Sequence, residues 1–189
     1  MTLGRIPAAV TVLCILAASL QAETKIGFRQ LCSTTPVVVQ RGKTTPISVR
    51  SNYTLDGSYK VFFDRPGVEM KLLETKPKPA PHKGRGTPGT PFQFEATVPA
   101  QQPVGIYEFR VATPTAVSSV SHLLVTDFPV VNEAKAENGM PATAQQVSLP
   151  VAIAGMVERS EDVDYYQFSG TAGQVINVNI YAQRVTRAV

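Results

Sequence analysis

This sequence has no tryptophan, two cysteines and two histidines in 189 residues. Neither His82 nor His122 has a His or Cys partner at metal-ligand spacing, so the pattern of a zinc site is missing. No G-x-S-x-G, H-E-x-x-H or Walker pattern occurs, which removes the local signatures of the common hydrolases, zinc peptidases and nucleotide-binding enzymes. Positive charge is in mild excess, with a net charge of +4, and a mild excess does not point to nucleic acid. Apart from the N-terminus, no apolar run approaches the roughly 20 residues of a membrane span. No segment shows a convincing amphipathic helical period. With 15 prolines and 13 glycines, the composition suits a β-rich, loop-rich chain.

Residues 1–22 have the form of a secretory signal peptide. Arg5 supplies the positive start, Ala8–Leu20 the apolar run, and Leu20-Gln21-Ala22 a small residue for cleavage before Glu23. The expected location is therefore secreted, periplasmic or cell-envelope, with no membrane span once the leader is removed. Cleavage takes Cys14 and leaves Cys32 alone, so no intramolecular disulfide can form and packed cores must supply the stability. Cys32 reads as a semi-buried apolar residue.

The rest of the chain reads as short strands. Val37–Val39, Ile47–Arg50, Tyr59–Phe63, Val68–Leu73, Phe92–Val98, Ile106–Ala112 and Ser119–Thr126 are separated by turn signals such as Gln40–Lys43, Leu55-Asp56-Gly57, Arg65-Pro66-Gly67 and Pro103-Val104-Gly105. Phe92–Val98 alternates cleanly, and Tyr107, Phe109 and Val111 share one face. About seven strands at this spacing predict an all-β fold with a β-sandwich over 23–131. Residues 132–146 are turn-rich and polar and read as a linker. A second β module runs from Val147 to Val189. Its clearest feature is Asp162–Phe168, then Gly170–Gln174, then alternating Val175–Ala182. This predicts a hairpin, with Gly170 and Gly173 supplying the turn and Phe168 packing inward beside Ile176 and Val178.

The wording of that hairpin resembles the bacterial pre-peptidase C-terminal domain family, whose pattern is G-D-x-D-x-[YF]-x-F-x-x-x-A-G-Q followed by an alternating strand. Here Asp162, Asp164, Tyr166, Phe168 and Ala172-Gly173-Gln174 fit, while Glu161 stands in place of the first glycine. Leu149-Pro150 to Gly155 is similar to the segment that precedes it in the family. Thr35–Lys43, Leu55-Asp56-Gly57, Phe62–Val68 and Gly105–Val111 resemble immunoglobulin-like domains that precede such modules in large secreted bacterial proteins. The resemblance implies an immunoglobulin-like β-sandwich followed by a partial, jelly-roll-like β-sandwich. It also implies peptidase-associated, non-catalytic accessory duty. The resembled domain has several further strands. The chain accordingly reads as a fragment of a longer protein, a truncated reading frame or a degenerate paralogue.

Three candidate sites follow. Lys76, Lys78, Lys83 and Arg85 stud a proline- and glycine-rich loop, 76–91, whose Lys-Pro-Lys-Pro start favours polyproline II. It is either a solvated connection or an anion-binding finger. Without an interleaved aromatic it has no means of stacking on bases, so nucleic acid is not expected as a partner. Asp162 and Asp164 lie two apart on a strand, so both carboxylates share a face. They are calcium candidates or turn residues, and calcium would need six to eight oxygens. Asn52-Tyr53-Thr54 has the glycosylation spelling and reads as a loop entering the Asp56-Gly57 turn. His122 alternates with Val120 and Leu124 and reads as a satisfied strand histidine.

The function expected is a non-catalytic secreted accessory or interaction module, part of a larger extracellular protein, with an extracellular protein or polysaccharide as partner and no cofactor beyond the calcium candidates. Two alternatives stand beside it. The chain could be the non-catalytic N-terminal region of a secreted hydrolase or peptidase. It could also be a cell-envelope or polyanion binder working through loop 76–91.

Overall fold

The computed structural model describes residues 30–73, 90–134, 138–157 and 161–182. The leader 1–22 and the basic residues Lys76, Lys78, Lys83 and Arg85 lie outside the described residues. The described chain is almost entirely β. Two sheets face each other. One is four-stranded: β1 (Leu31–Thr35), β3 (Thr44–Ser51), β6 (Thr90–Thr97) and β5 (Glu69–Leu72), adjacent in that order. The other runs β2 (Val38–Gln40), β9 (Ser121–Thr126), β7 (Gly105–Thr113) and β4 (Lys60–Phe63), with β8 (Ala116–Val117) added to β7. The expected β-sandwich is present.

Alternation decides which residues fill it. In the β3–β6 ladder Ile47 opposes Phe94 and Val49 opposes Phe92, and all four are fully or almost fully buried. From the other sheet Tyr107, Phe109 and Val111 of β7, with Leu123 and Val125 of β9, meet them in one cluster that also takes in Leu31, Val39, Leu55, Val68, Met70, Ala96 and Val98. These are the faces that the period-2 pattern assigned to β6 and β7. The sequence reading missed β1. Leu-Cys-Ser-Thr-Thr shows no alternation of its own, and it is held as a strand by pairing with β3 from Leu31↔Ser51 to Thr35↔Ser48. Pro36, which has no N–H to give a ladder, separates β1 from β2. The chain thereby changes sheets, and β2 pairs in parallel with β9.

One corner of the sandwich is tied by side chains. The Tyr107 hydroxyl donates to the Pro103 carbonyl at 2.6 Å and accepts from Gln102 Nε2 at 2.9 Å. Gln102 also donates to the Pro66 carbonyl at 2.8 Å, joining the turn before β5 to the turn before β7. A tyrosine near the start of its strand that bonds back to upstream backbone is the tyrosine corner of immunoglobulin-like sandwiches. The Arg65 guanidinium carbon lies 4.1 Å from the Tyr107 ring centroid.

Residues after the sandwich form small parallel pairs. β10 (Val130–Asn132) pairs with β12 (Ala152–Ala154), and β11 (Gln145–Gln146) pairs with β13 (Tyr166–Gln167). A single 3-10 turn, Pro141–Thr143, lies between β10 and β11. β10 and β12 lie near β2, where Val38 is buried although its neighbour Val39, not Val38, belongs to the main core.

The expected C-terminal hairpin is not formed. Strand structure there is confined to Tyr166-Gln167, whose partner is β11, and residues 175–181 form no strand. Phe168 is 41% exposed and Val178 76% exposed, so the expected inward packing of Phe168 beside Ile176 and Val178 is corrected. Alternation states which face a strand would bury. It supplies no hydrogen-bonded neighbour, and no described strand offers one to 175–181. Gly173 has the expected left-handed backbone, with φ 82°, and Gln174 N–H closes the turn onto the Thr171 carbonyl at 3.1 Å.

Candidate functional site

Asp162, Asp164 and Tyr166 follow one another at period 2, and all three are half-buried while Val163, Tyr165 and Gln167 between them are exposed. The two aspartates therefore share a face, as their spacing predicts. What the spacing did not show is their neighbour. Glu133, just beyond β10, reaches this face and accepts the Met156 N–H at 2.8 Å through Oε2. The Asp164 carboxyl is raised from 3.8 to about 6. Desolvation contributes most, then a hydrogen bond with Glu133, then the charges of Glu133 and Asp162. The Tyr166 hydroxyl is raised too, by burial first and then by the charges of Glu133 and Asp164. The Asn138 side chain opposes this rise; its amide nitrogen is buried and has no hydrogen-bond partner. A Cβ on Gly155 would stand 3.3 Å from the Tyr166 hydroxyl and 3.5 Å from Glu133 Oε2, so glycine leaves the space in which these groups meet.

When protonated, Asp164 donates to Glu133, and Glu133 in turn holds the backbone beyond β12. The bond ties β10 and β12 to the approach of β13. Among the described residues, no group of three or more His, Cys, Asp or Glu is arranged to hold a metal ion. Glu161, where the resembled pattern carries glycine, has φ 61°, in the left-handed region that favours glycine.

His122 opposes Glu108 across β9 and β7, with Nε2 3.9 Å from Oε1. Cys32 is half-buried, and its thiol donates to Asn52 Oδ1 at 3.2 Å. The Asn52 amide nitrogen donates to Gln30 Oε1 at 3.4 Å, so this asparagine fastens the start of β1. Of the expected loop 76–91, residues 76–89 lie outside the described residues, and Thr90 and Pro91 belong to β6, paired with Ser51 and Arg50 of β3; Leu73 N–H, just after β5, bonds the Gln93 carbonyl.

A second surface, unremarked in the sequence, lies along β4. Among the described residues this strand forms one edge of its sheet, and β5 forms one edge of the other. Between them runs a shallow cleft of about 130 Å³ lined by Tyr59, Lys60, Val61, Met70 and Leu72. Tyr59 is 69% exposed and Phe62 43% exposed. Lys60 Nζ sits 4.9 Å from the Phe62 ring centroid. Phe62 opposes Arg110 across the ladder, and Arg110, like Lys60 and Glu108, is exposed. Exposed rings flanked by hydrogen-bonding charges thus line an open sheet edge. In Lys-Val-Phe-Phe, Phe62 shares a face with charged Lys60 and Phe63 shares the other with Val61, the alternation that turns Phe62 outward.

No family model matches the chain, and no curated protein matches it. Among solved structures, a surface glycan-binding protein of the Bacteroides ovatus mixed-linkage glucan utilization locus, in complex with a mixed-linkage heptasaccharide, is 14% identical with a TM-score of 0.38. That likeness covers 63% of this chain and 25% of that one. A variant of the SrpA adhesin from Streptococcus sanguinis is 11% identical with a TM-score of 0.33, over 64% of this chain and 72% of that one. This chain thus spans a quarter of the first protein's length. Likeness at this level carries no functional argument. No helix among the described residues is long and apolar enough to cross a membrane.

Proposed function

We propose that this chain is a non-catalytic interaction module of an exported protein, and that the β4 edge is its binding surface. The observation that carries the reading is the exposure of Tyr59 and Phe62 beside Lys60 and Arg110 on an open sheet edge. Buried, such rings would contribute to stability; exposed, they offer apolar area to a ligand. An open edge with a shallow cleft fits an extended polymer better than an enclosed small molecule. Rings take the apolar face of a sugar, and Lys60, Arg110 and Glu108 supply donors and acceptors for its hydroxyls. A polysaccharide of the cell surface or its surroundings is therefore the partner proposed. The signal-like start at 1–22 supports export. The left-handed Glu161, at the position of a family glycine, supports reading 147–189 as a diverged pre-peptidase C-terminal module. On this reading the chain serves beside extracellular catalytic or adhesive domains of a larger protein.

Affinity electrophoresis of the chain in gels carrying a panel of soluble polysaccharides tests the surface. At least one polymer should retard the chain. Tyr59→Ala with Phe62→Ala should weaken binding at least about tenfold, the equivalent of roughly 1.4 kcal/mol, with an unchanged thermal melt because both rings are exposed. Retardation that is indifferent to the double substitution, or absent with every polymer, overturns the proposal.

A further inference from the structure

The stretch 174–182, Gln-Val-Ile-Asn-Val-Asn-Ile-Tyr-Ala, has no charged residue, no proline and no glycine. It combines high β-propensity with period-2 alternation. Yet residues 175–180 pair with no strand among the described residues. Val175 is 82% exposed, Val178 76% and Ile180 80%. β-branched residues left in water along an uncharged segment form a strong template for strand pairing.

The sequence itself indicates the occupant. Reading outward from Val178, the residues on either side are Asn177 and Asn179, then Ile176 and Ile180. The five residues 176–180 are a palindrome. In an antiparallel pair about a two-fold axis, residues equally far from the centre oppose each other. A second copy would therefore place Ile176 opposite Ile180, Asn177 opposite Asn179, and Val178 opposite itself. Apolar residues meet apolar residues on one face. On the other, each asparagine amide offers both a donor and an acceptor to its opposite number. The segment's lack of charge removes any like-charge clash at the axis. The turn at Thr171–Gln174, closed by the Gln174 N–H and by Gln174 Oε1 accepting the Thr171 N–H at 3.0 Å, fixes the near end of the strand.

We propose that Ile176–Ile180 is a self-complementary association strand, through which two copies of this chain pair antiparallel about Val178. This inference stands independently of the β4 surface. A pair of short strands buries less than the roughly 800 Å² per partner of a standard stable interface. The dimer is therefore weak and concentration-dependent.

The test uses the full chain with Cys14→Ser and Cys32→Ser as background. With Val178→Cys, mild oxidation should give a disulfide-linked dimer, because opposed residues lie within disulfide reach. With Val175→Cys it should not, since the two copies of that position stand about 20 Å apart along the strands. By sedimentation velocity over a concentration series, Val178→Lys and Val178→Glu should each be monomeric, and their mixture should recover the dimer. Four results would each overturn the inference: a wild-type chain monomeric throughout the series, equal cross-linking at both positions, a dimer that survives Val178→Lys, or a mixture that fails to recover it. A monomer whose 175–180 amides are protected from exchange would place this strand against its own chain instead, and a stoichiometric co-purifying protein cross-linked through position 178 would place it against another. Either also overturns the pairing.

Discussion

Replacing Tyr107 by phenylalanine isolates the hydroxyl that ties the corner of the sandwich. The ring is fully buried, and phenylalanine keeps it there, so the change opens no cavity larger than one oxygen. Arg65 keeps a ring beneath its guanidinium. What is lost is the bond to the Pro103 carbonyl and the bond from Gln102. Gln102 is itself buried and retains its bond to the Pro66 carbonyl. The main loss is the part-buried bond to the carbonyl of exposed Pro103, which costs about 0.5–1.5 kcal/mol. For a chain of this size that corresponds to a fall in Tm of roughly 1–6 °C, taking about 2–4 °C per kcal/mol. Urea unfolding followed by far-UV circular dichroism reads it directly, since the chain has no tryptophan for fluorescence. The m-value should not change, because the surface buried is the same. A double-mutant cycle with Gln102→Leu should show coupling of about 0.5–3 kcal/mol, because the two groups share a bond. A midpoint unmoved by Tyr107→Phe would show that water satisfies the corner as well as the tyrosine does, and would remove it as a stabilising device.

Three further outcomes follow from backbone geometry and charge. Gly67→Ala should destabilise by at least about 1–2 kcal/mol, because Gly67 has φ 105° and a Cβ there would overlap Gln102 Oε1; a neutral result in the same urea assay would contradict it. Glu161→Gly should stabilise by about 1 kcal/mol by relieving a left-handed backbone at φ 61°, and a loss of stability would show that the Glu161 side chain contributes more than its strain costs. The folded-state rise of Asp164 from 3.8 to about 6 means that its neutral form stabilises the fold. That contribution is complete below the unfolded value and is lost as pH rises through about 6. Asp164→Asn, which stays neutral, should therefore melt close to wild type near pH 4 and above it at pH 7, and a Tm difference that does not change with pH would refute the raised Asp164 carboxyl.

Much of the sandwich could be read from the chain alone, because alternation is a local property. Phe92, Phe94 and Ala96, or Tyr107, Phe109 and Val111, announce a buried face wherever the strand is placed, and Asp56-Gly57 or Pro66-Gly67 announce a turn through backbone freedom. The shared face of Asp162 and Asp164 was legible for the same reason. Tertiary structure decided whatever depends on a partner distant in sequence. β1 is a strand because β3 offers it an edge. Residues 175–180 have the alternation of a strand and no described edge to join. Phe62 faces outward with Lys60 while Val61 and Phe63 pack against the core, as the period-2 pattern allows; that β4 lies at a sheet edge among the described residues is what only the fold decided. The Asp164 carboxyl is raised because the fold half-buries it and brings Glu133, from just beyond β10, against it. Side-chain period is set by covalent geometry and is written in the sequence, whereas pairing, exposure and proton affinity are set by neighbours that only the folded chain brings together.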